Sequence, residues 1–324
     1  MTGCGHHPAG ACVTIESQIP VDDYASGWEL AFGRSLTTER DWLLRRSTTL
    51  MGAVDCQGEL VAGLGFRRAV LEDRQRINVR LLHDLWVHPE HRRGGVFTTL
   101  AREASRRHLA AGADAVLAIA SRARGTRRGF ESAGFAHLGP VETMRGPVTP
   151  FLDLGEPRSS VDRVIVTASL AEFGYDRCAG LFEQRERVVG QVGLRRDAQY
   201  FRERFDEAPR AYLAAGALSG TASGRLDALC IAKVWAKRSC LQVLAAAGTA
   251  TPLLAATSAL VRHAITDAAV TTVDISAPGA EALGPAVAGL GLVPAPIERD
   301  IFVRAAPGVR IRGWEVFRDE INSF

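Results

Sequence analysis

The amino-acid sequence predicts an α/β protein built as two halves that repeat one order of strands and helices. Three observations carry this reading. Residues 81–100, LLHDLWVHPEHRRGGVFTTL, pass from a strand-like segment through a glycine loop straight into an amphipathic helix. Short strand-like runs alternate with helical patterns along the whole chain, which suits mixed, mostly antiparallel central sheets flanked by helices. Near a shift of 156 residues the pattern recurs: Ile119 in one apolar run matches Ile275 in another, and Ala133-Gly-Phe matches Leu290-Gly-Leu.

Composition sets the outer limits. A chain of 324 residues, 47% hydrophobic, is long enough for two buried cores of about 150 residues each. The net charge of +3 excludes a globally basic nucleic-acid binder, although nine arginines face three acids between Glu90 and Arg128. The cysteines at 4, 12, 56, 178, 230 and 240 show no regular spacing, as expected of reduced, incidental thiols in a cytoplasmic protein. Cys4, His6 and His7 have metal-ligating chemistry, but a Gly-rich terminus holding Pro8 reads as a flexible tail, so no metal is expected. No apolar run reaches membrane-spanning length and no leader pattern precedes the first strand, so no membrane partner is expected. The chain is read as a soluble monomer or homodimer.

In order, residues 1–10 form the flexible N-terminus and 11–16 a short strand. Helices follow at 21–32 and 37–46, the second with Thr37 or Thr38 as N-cap. Residues 50–55 and 60–70 are strands joined by a hairpin at Cys56-Gln-Gly58. The strand before Pro89 and the helix to about residue 109 come next, then a doubly buried strand at 113–120, a helix at 125–132 and strands to about 144. Pro147, Pro150, Gly155 and Pro157 mark a linker, placed at 148–160 between a first domain (11–147) and a second (161–324). In the second, strands are expected at 161–169, 211–217, 225–236, 240–246, 271–275 and 301–304. Helices are expected at 175–187, 197–205, 252–268 and 281–290.

The segment after Pro89 has the chemistry of an anion cradle. The first N–H groups of a helix lack intrahelical partners and sit at the positive end of its dipole, and glycine lets phosphate oxygens approach them. Val87-His-Pro-Glu-His-Arg92-x-x-Gly95-x-Phe97 resembles the acyl-coenzyme A loop of the GNAT acetyltransferase superfamily, usually Val-x-Pro-x-x-Arg-x-x-Gly-x-Gly/Ala. It departs at Phe97, where a small residue is usual. The resemblance implies two tandem GNAT-like domains, with acetyl- or another acyl-coenzyme A held by Arg92, Arg93, Gly94, Gly95, Val96, Phe97 and Thr98. It also implies that the pantetheine arm lies in a V-shaped gap between two splayed strands, bonded to the main chain of Leu85, Trp86 and Val87.

Phe130-Glu-Ser-Ala-Gly134-Phe135 resembles the family's second helix, usually Tyr-Glu-Lys-x-Gly-Phe, with Arg127 and Ser121 near the cofactor. Phe130 stands where that tyrosine protonates the leaving thiolate, and a phenyl ring has no proton to give. For the base, the resemblance favours an acidic residue on the central strand, Asp84, while His83 has the better unperturbed pKa. Strand alternation puts the two on opposite faces, so only one is expected to face the acceptor.

The second half has lost the loop: Leu244-Ala-Ala-Ala-Gly-Thr-Ala-Thr-Pro252 has one glycine and no arginine. It is read as a degenerate GNAT-like domain, structural or forming a wall of the acceptor pocket. The function implied is acyl-coenzyme A-dependent N-acyl transfer to a small-molecule amine, a specialised metabolite or antibiotic falling in that class. Thioester hydrolysis, decarboxylation and non-catalytic sensing of acyl-coenzyme A are the alternatives.

Overall fold

The computed structural model describes residues 12–72, 76–122, 125–154, 161–189, 193–209, 211–220, 224–267, 269–296 and 298–311. Cys4, His6 and His7 lie outside them. Two compact units result, the first holding residues up to Pro140 together with Glu298–Gly313, the second holding Val141–Ile297.

In the first unit, β1 (Thr14–Ser17), α1 (Val21–Phe32), α2 (Thr38–Ser47), β2 (Thr49–Val54), β3 (Leu60–Glu72), β4 (Arg76–Val87), α3 (Val96–Ala110), β5 (Ala115–Ser121), α4 (Thr126–Ser132) and β6 (Ala136–Pro140) follow the expected order. Local chemistry places their ends. Thr37 caps α2 by accepting the Arg40 N–H at 3.2 Å. The β2–β3 hairpin turns at Gly58 with φ 88°, while the Asp55 carboxylate accepts the N–H groups of Gln57 and Glu59.

The sheet order is β1-β2-β3-β4-β5-β15-β6, where β15 (Arg299–Ala305) is the last strand of the chain. On one face, α3 and α4 cover Leu64, Phe66, Leu82, Val116 and Phe302. On the other, Tyr24 and Trp28 of α1 and Leu44 of α2 bury Trp86.

In the second unit, β7 (Thr143–Pro147), α5 (Thr149–Asp153), β8 (Arg163–Thr167), α6 (Tyr175–Val189), β9 (Gly193–Leu194), α7 (Ala198–Phe201), β10 (Leu213–Ser219), β11 (Arg225–Trp235), β12 (Cys240–Gly248), α8 (Ala250–Asp267), β13 (Thr272–Ser276), α9 (Ala277–Ala282) and β14 (Val293–Pro294) repeat the plan. Their sheet runs β14-β7-β13-β12-β11-β10-β8. The helix expected over 197–205 is α-helical only to Phe201 and continues as a π-helical turn, Arg202–Asp206.

The largest difference from the sequence reading is an exchange of strands. The final strand, expected in the second domain, pairs with β5 from Arg299–Ser121 to Ala305–Ala115 and with β6 on its other side. Reciprocally, β7 from the first half lies between β13 and β14. The units therefore divide at Pro140/Val141 rather than within 148–160. The prolines that suggested a linker follow a strand instead: Pro147 sits in its last ladder pair, where a missing N–H costs little. A second difference concerns the thiols. Cys12 is disulfide-bonded, whereas Cys56, Cys178, Cys230 and Cys240 are free. No helix among the described residues is long and apolar enough to cross a membrane.

Two outcomes follow for the first unit. Phe302 is 1% exposed and stacks on Phe130 at 4.8 Å, so Phe302→Ala is expected to cost about 3–5 kcal/mol in urea unfolding. A loss below about 1 kcal/mol would mean that β15 is peripheral to this core. His108 of α3 packs on Phe66 at 4.1 Å, and burial, with the Arg80 charge, pushes its pKa down to about 4. Because the unfolded value is near 6.5, between these pH values the unfolded chain takes up a proton that the folded chain refuses. The contribution is therefore complete above about pH 6.5 and fades as pH falls toward 4. Wild type should lose about 2 kcal/mol more than His108→Leu on going from pH 7.5 to 5, and parallel losses would contradict the assignment.

Candidate active site

The site is built on the C-terminal half of β4. This strand pairs in parallel with β5 from Val79–Ala115 only as far as Leu82–Ala118. Residues 119–121 of β5 stay paired to β15, and residues 86–87 of β4 stay paired to β3. Each strand follows its outer neighbour, so a gap opens between them beyond Leu82.

At the mouth of the gap, β4 bulges. Asp84 has φ 51°, and the register with β3 shifts between Gly63 and Gly65. This overturns the expectation that Asp84 and His83 face opposite ways. Leu82, Leu85 and Val87 pack with the α3 cluster and Trp86 with the α1 cluster, so the extra residue leaves His83 and Asp84 on one side. His83 Nδ1 lies 3.3 Å from Asp84 Oδ2, and Arg40 Nη2 lies 3.0 Å from Asp84 Oδ1. His83 Nε2 meets the Thr48 hydroxyl at 3.3 Å.

This contact exists because position 65 is glycine: a methyl there would sit 2.6 Å from His83 Cε1 and 2.7 Å from Thr48 Cγ2. Burial lowers the His83 pKa below 6.5, opposed by Asp84, which keeps the imidazole neutral at neutral pH. Tyr24 donates its hydroxyl to the Asp84 carbonyl at 2.5 Å. Burial, with the Asp84 charge, raises the Tyr24 pKa well above 10, so the hydroxyl keeps its proton. Arg40 also lies over Trp28, 4.4 Å from the ring centroid.

Beyond Val87, Pro89–His91 forms a single 3-10 turn, and the chain reaches α3 through two left-handed residues, Arg93 (φ 68°) and Gly95 (φ 80°). The bond from Thr99 N–H to Gly95 O, at 3.0 Å, opens the helix, so the N–H groups of Val96, Phe97 and Thr98 point out of its first turn. A methyl at Gly95 would meet nothing within 4 Å, so the space before the loop is clear. Arg92 is placed differently from a phosphate ligand: its Nε donates to Val87 O at 3.2 Å and its Nη2 to Ala31 O at 2.6 Å. It braces the loop against the end of α1, while Arg93 is exposed.

Of the remaining expected positions, Ser121 is exposed at the end of β5 and Arg127 pairs with Glu131 at 2.8 Å on the outside of α4. Leu85 and Val87 are half-buried beside the gap, and Trp86 turns its indole to the α1 face. Phe130 is 2% exposed, enclosed by Phe97, Phe135 and Phe302.

Residues 17–135, which contain the gap, the bulge and the loop, match the sequence profile of the Acetyltransferase (GNAT) family. The chain carries a GNAT acetyltransferase domain. Its fold is also that of solved GNAT proteins. A probable N-acyltransferase from Enterococcus faecalis is 12% identical with a TM-score of 0.69, over 93% of this chain and 72% of that one. A GCN5-related N-acetyltransferase from Kribbella flavida is 16% identical with a TM-score of 0.65, over 90% and 71%. A tandem GNAT protein from the clavulanic acid biosynthesis pathway is 14% identical with a TM-score of 0.63, over 92% of this chain and all of that one. No curated protein matches the sequence.

The second unit handles the equivalent stretch of its own GNAT-like sheet differently. Parallel pairing of β12 with β13 ends at Val243–Ile275, but Leu244, Ala245, Ala246 and Ala247 beyond it are fully buried. A methyl at Gly248 would strike Asp227 O and Ala228 Cβ at 2.5 Å, where Gly95 has open space.

Sequence reasoning missed Tyr24, Arg40, Thr48 and Gly65 of the GNAT unit. The first two reach Asp84 from helices 60 and 44 positions away, with no local spacing to mark them. Gly65 carries a faint signal, since glycine within a strand often marks a close approach.

Proposed function

We propose that the first unit takes an acyl group from acyl-coenzyme A, acetyl-coenzyme A first among them, and transfers it to the amine of a small molecule. The observation that carries this reading is the alignment of cradle and gap on one strand. An arm leaving the first turn of α3 and running back along β4 passes Val87, Trp86 and Leu85 and reaches Asp84 within about 10 Å. The unpaired edge of β4 bonds the arm, and the N–H groups of Val96, Phe97 and Thr98 bind phosphate. The second unit, whose matching stretch is buried, takes no acyl-coenzyme A.

At the end of that path His83 and Asp84 act as one acid–base unit. Asp84, fixed by Arg40 and by the bulge, holds the neutral imidazole, and the pair accepts the proton that the acceptor amine sheds as it attacks the thioester carbonyl. Phe130 supplies no proton to the departing thiolate, so the proton taken up by the pair returns there directly or through water.

Titration calorimetry with acetyl-coenzyme A should find one site per chain. Gly95→Asp should weaken it at least 100-fold, because it sets a carboxylate against phosphate and forces a side chain onto a left-handed backbone. Two equivalent sites, or unchanged affinity, would contradict the assignment. Asp84→Asn and His83→Gln should each lower turnover by roughly 10²-fold with acyl-coenzyme A affinity nearly unchanged, and the double variant should fall little further. Turnover of wild type should decline below about pH 6.5, as His83 becomes protonated. Full activity in both single variants would sink the role of the pair.

A further inference from the structure

Phe97 departs from the small residue usual in the loop, and the structure shows where its ring goes. It is turned away from the loop, edge-on to Phe130 with centroids 5.0 Å apart, and lies over Gly129. A methyl at Gly129 would sit 2.8 Å from both Cδ1 and Cε1 of Phe97, closer than such carbons approach in folded proteins. The helix cannot back away, because Phe130 beside Gly129 is buried at 2% exposure and wedged against Phe135 at 5.2 Å and Phe302 at 4.8 Å.

Gly129 sits in the middle of α4 on ordinary helical backbone, where glycine costs about 1 kcal/mol relative to alanine. Its value is the space it leaves for the ring. The alternative position for the ring follows from helix geometry. Side chains in an α-helix lean toward its N-terminus, and Phe97 is the second residue of α3. A ring expelled from above Gly129 would lean over Gly95 and the N–H groups of Val96 and Thr98, where a methyl on Gly95 meets nothing within 4 Å.

We propose that Phe97 and Gly129 form a paired gate that decides whether the cradle is open to the pyrophosphate of a nucleotide such as coenzyme A. Glycine at 129 parks the ring and leaves the donors bare, and any side chain at 129 returns the ring to them. Phe97 is thus a positioning residue of the phosphate site, and Gly129, more than 30 positions along the chain, its specificity determinant. The inference rests on the acyl-coenzyme A reading above.

Calorimetry with acetyl-coenzyme A on the full chain tests it. Gly129→Ala should weaken binding about tenfold or more, while its thermal midpoint stays equal or rises, since alanine favours the helix. The double variant Gly129→Ala/Phe97→Ala should recover most of the affinity, a rescue that a general packing defect in α4 would not produce. Wild-type affinity in Gly129→Ala, or a double variant as weak as the single, would overturn the gate and leave the acyl-coenzyme A reading standing. A wild-type chain that binds no acetyl-coenzyme A would overturn both.

Discussion

The site depends on a bulge that would not hold itself in place. Asp84 is not a glycine, and a left-handed backbone costs an ordinary residue about 1 kcal/mol or more, so neighbouring groups must fix it. Three do so. The Tyr24 hydroxyl binds the Asp84 carbonyl, Arg40 pairs with one carboxylate oxygen, and His83 meets the other. Because a strand alternates faces with each residue, one extra residue turns the whole end of β4. It puts His83 beside Asp84, turns Trp86 to the α1 face and leaves Leu85 and Val87 beside the gap. Gly27 and Gly63 belong to the same constraint: the Trp86 indole lies so close to both that neither tolerates a β-carbon in place.

The gap also depends on the far end of the chain. β5 can leave β4 because it is fully paired on its other edge with β15. Arg304 of that strand donates to the carbonyls of Arg102 and Ala133 and to the Ser105 hydroxyl, tying α3 to α4. The unit that carries the loop near residue 95 is therefore finished only by residues 299–305. A fragment ending near Pro150 would lack the strand between β5 and β6, so such a cut tests folding rather than the division of labour between the units.

What was legible in the sequence was local. The strand, proline break, glycine loop and helix between residues 81 and 100 each follow from neighbouring residues, and Gly95 takes the left-handed conformation that the loop needs. Pairings between distant segments were not legible. A seven-residue apolar strand such as β15 carries no mark of its partner, and the repeat near 156 residues suggested the wrong sheet. Charge misled at Arg92, where an arginine in the motif binds main-chain carbonyls. The bulge was hidden because Asp84 looks like any strand residue, and alternation then argued against the arrangement observed. Gly129 was readable in part, since a glycine inside a short helix asks for a reason and Phe97 supplies it.

The central claim is that this constellation moves an acyl group from sulfur to nitrogen. It is tested most directly by incubating the full chain with acetyl-coenzyme A and a panel of small primary amines, following free thiol release and product mass together. The account predicts thiol release that requires an amine and matches, mole for mole, an acetamide product. Thiol release that yields free acetate whatever amine is present, or none with any amine while acetyl-coenzyme A still binds, would contradict it.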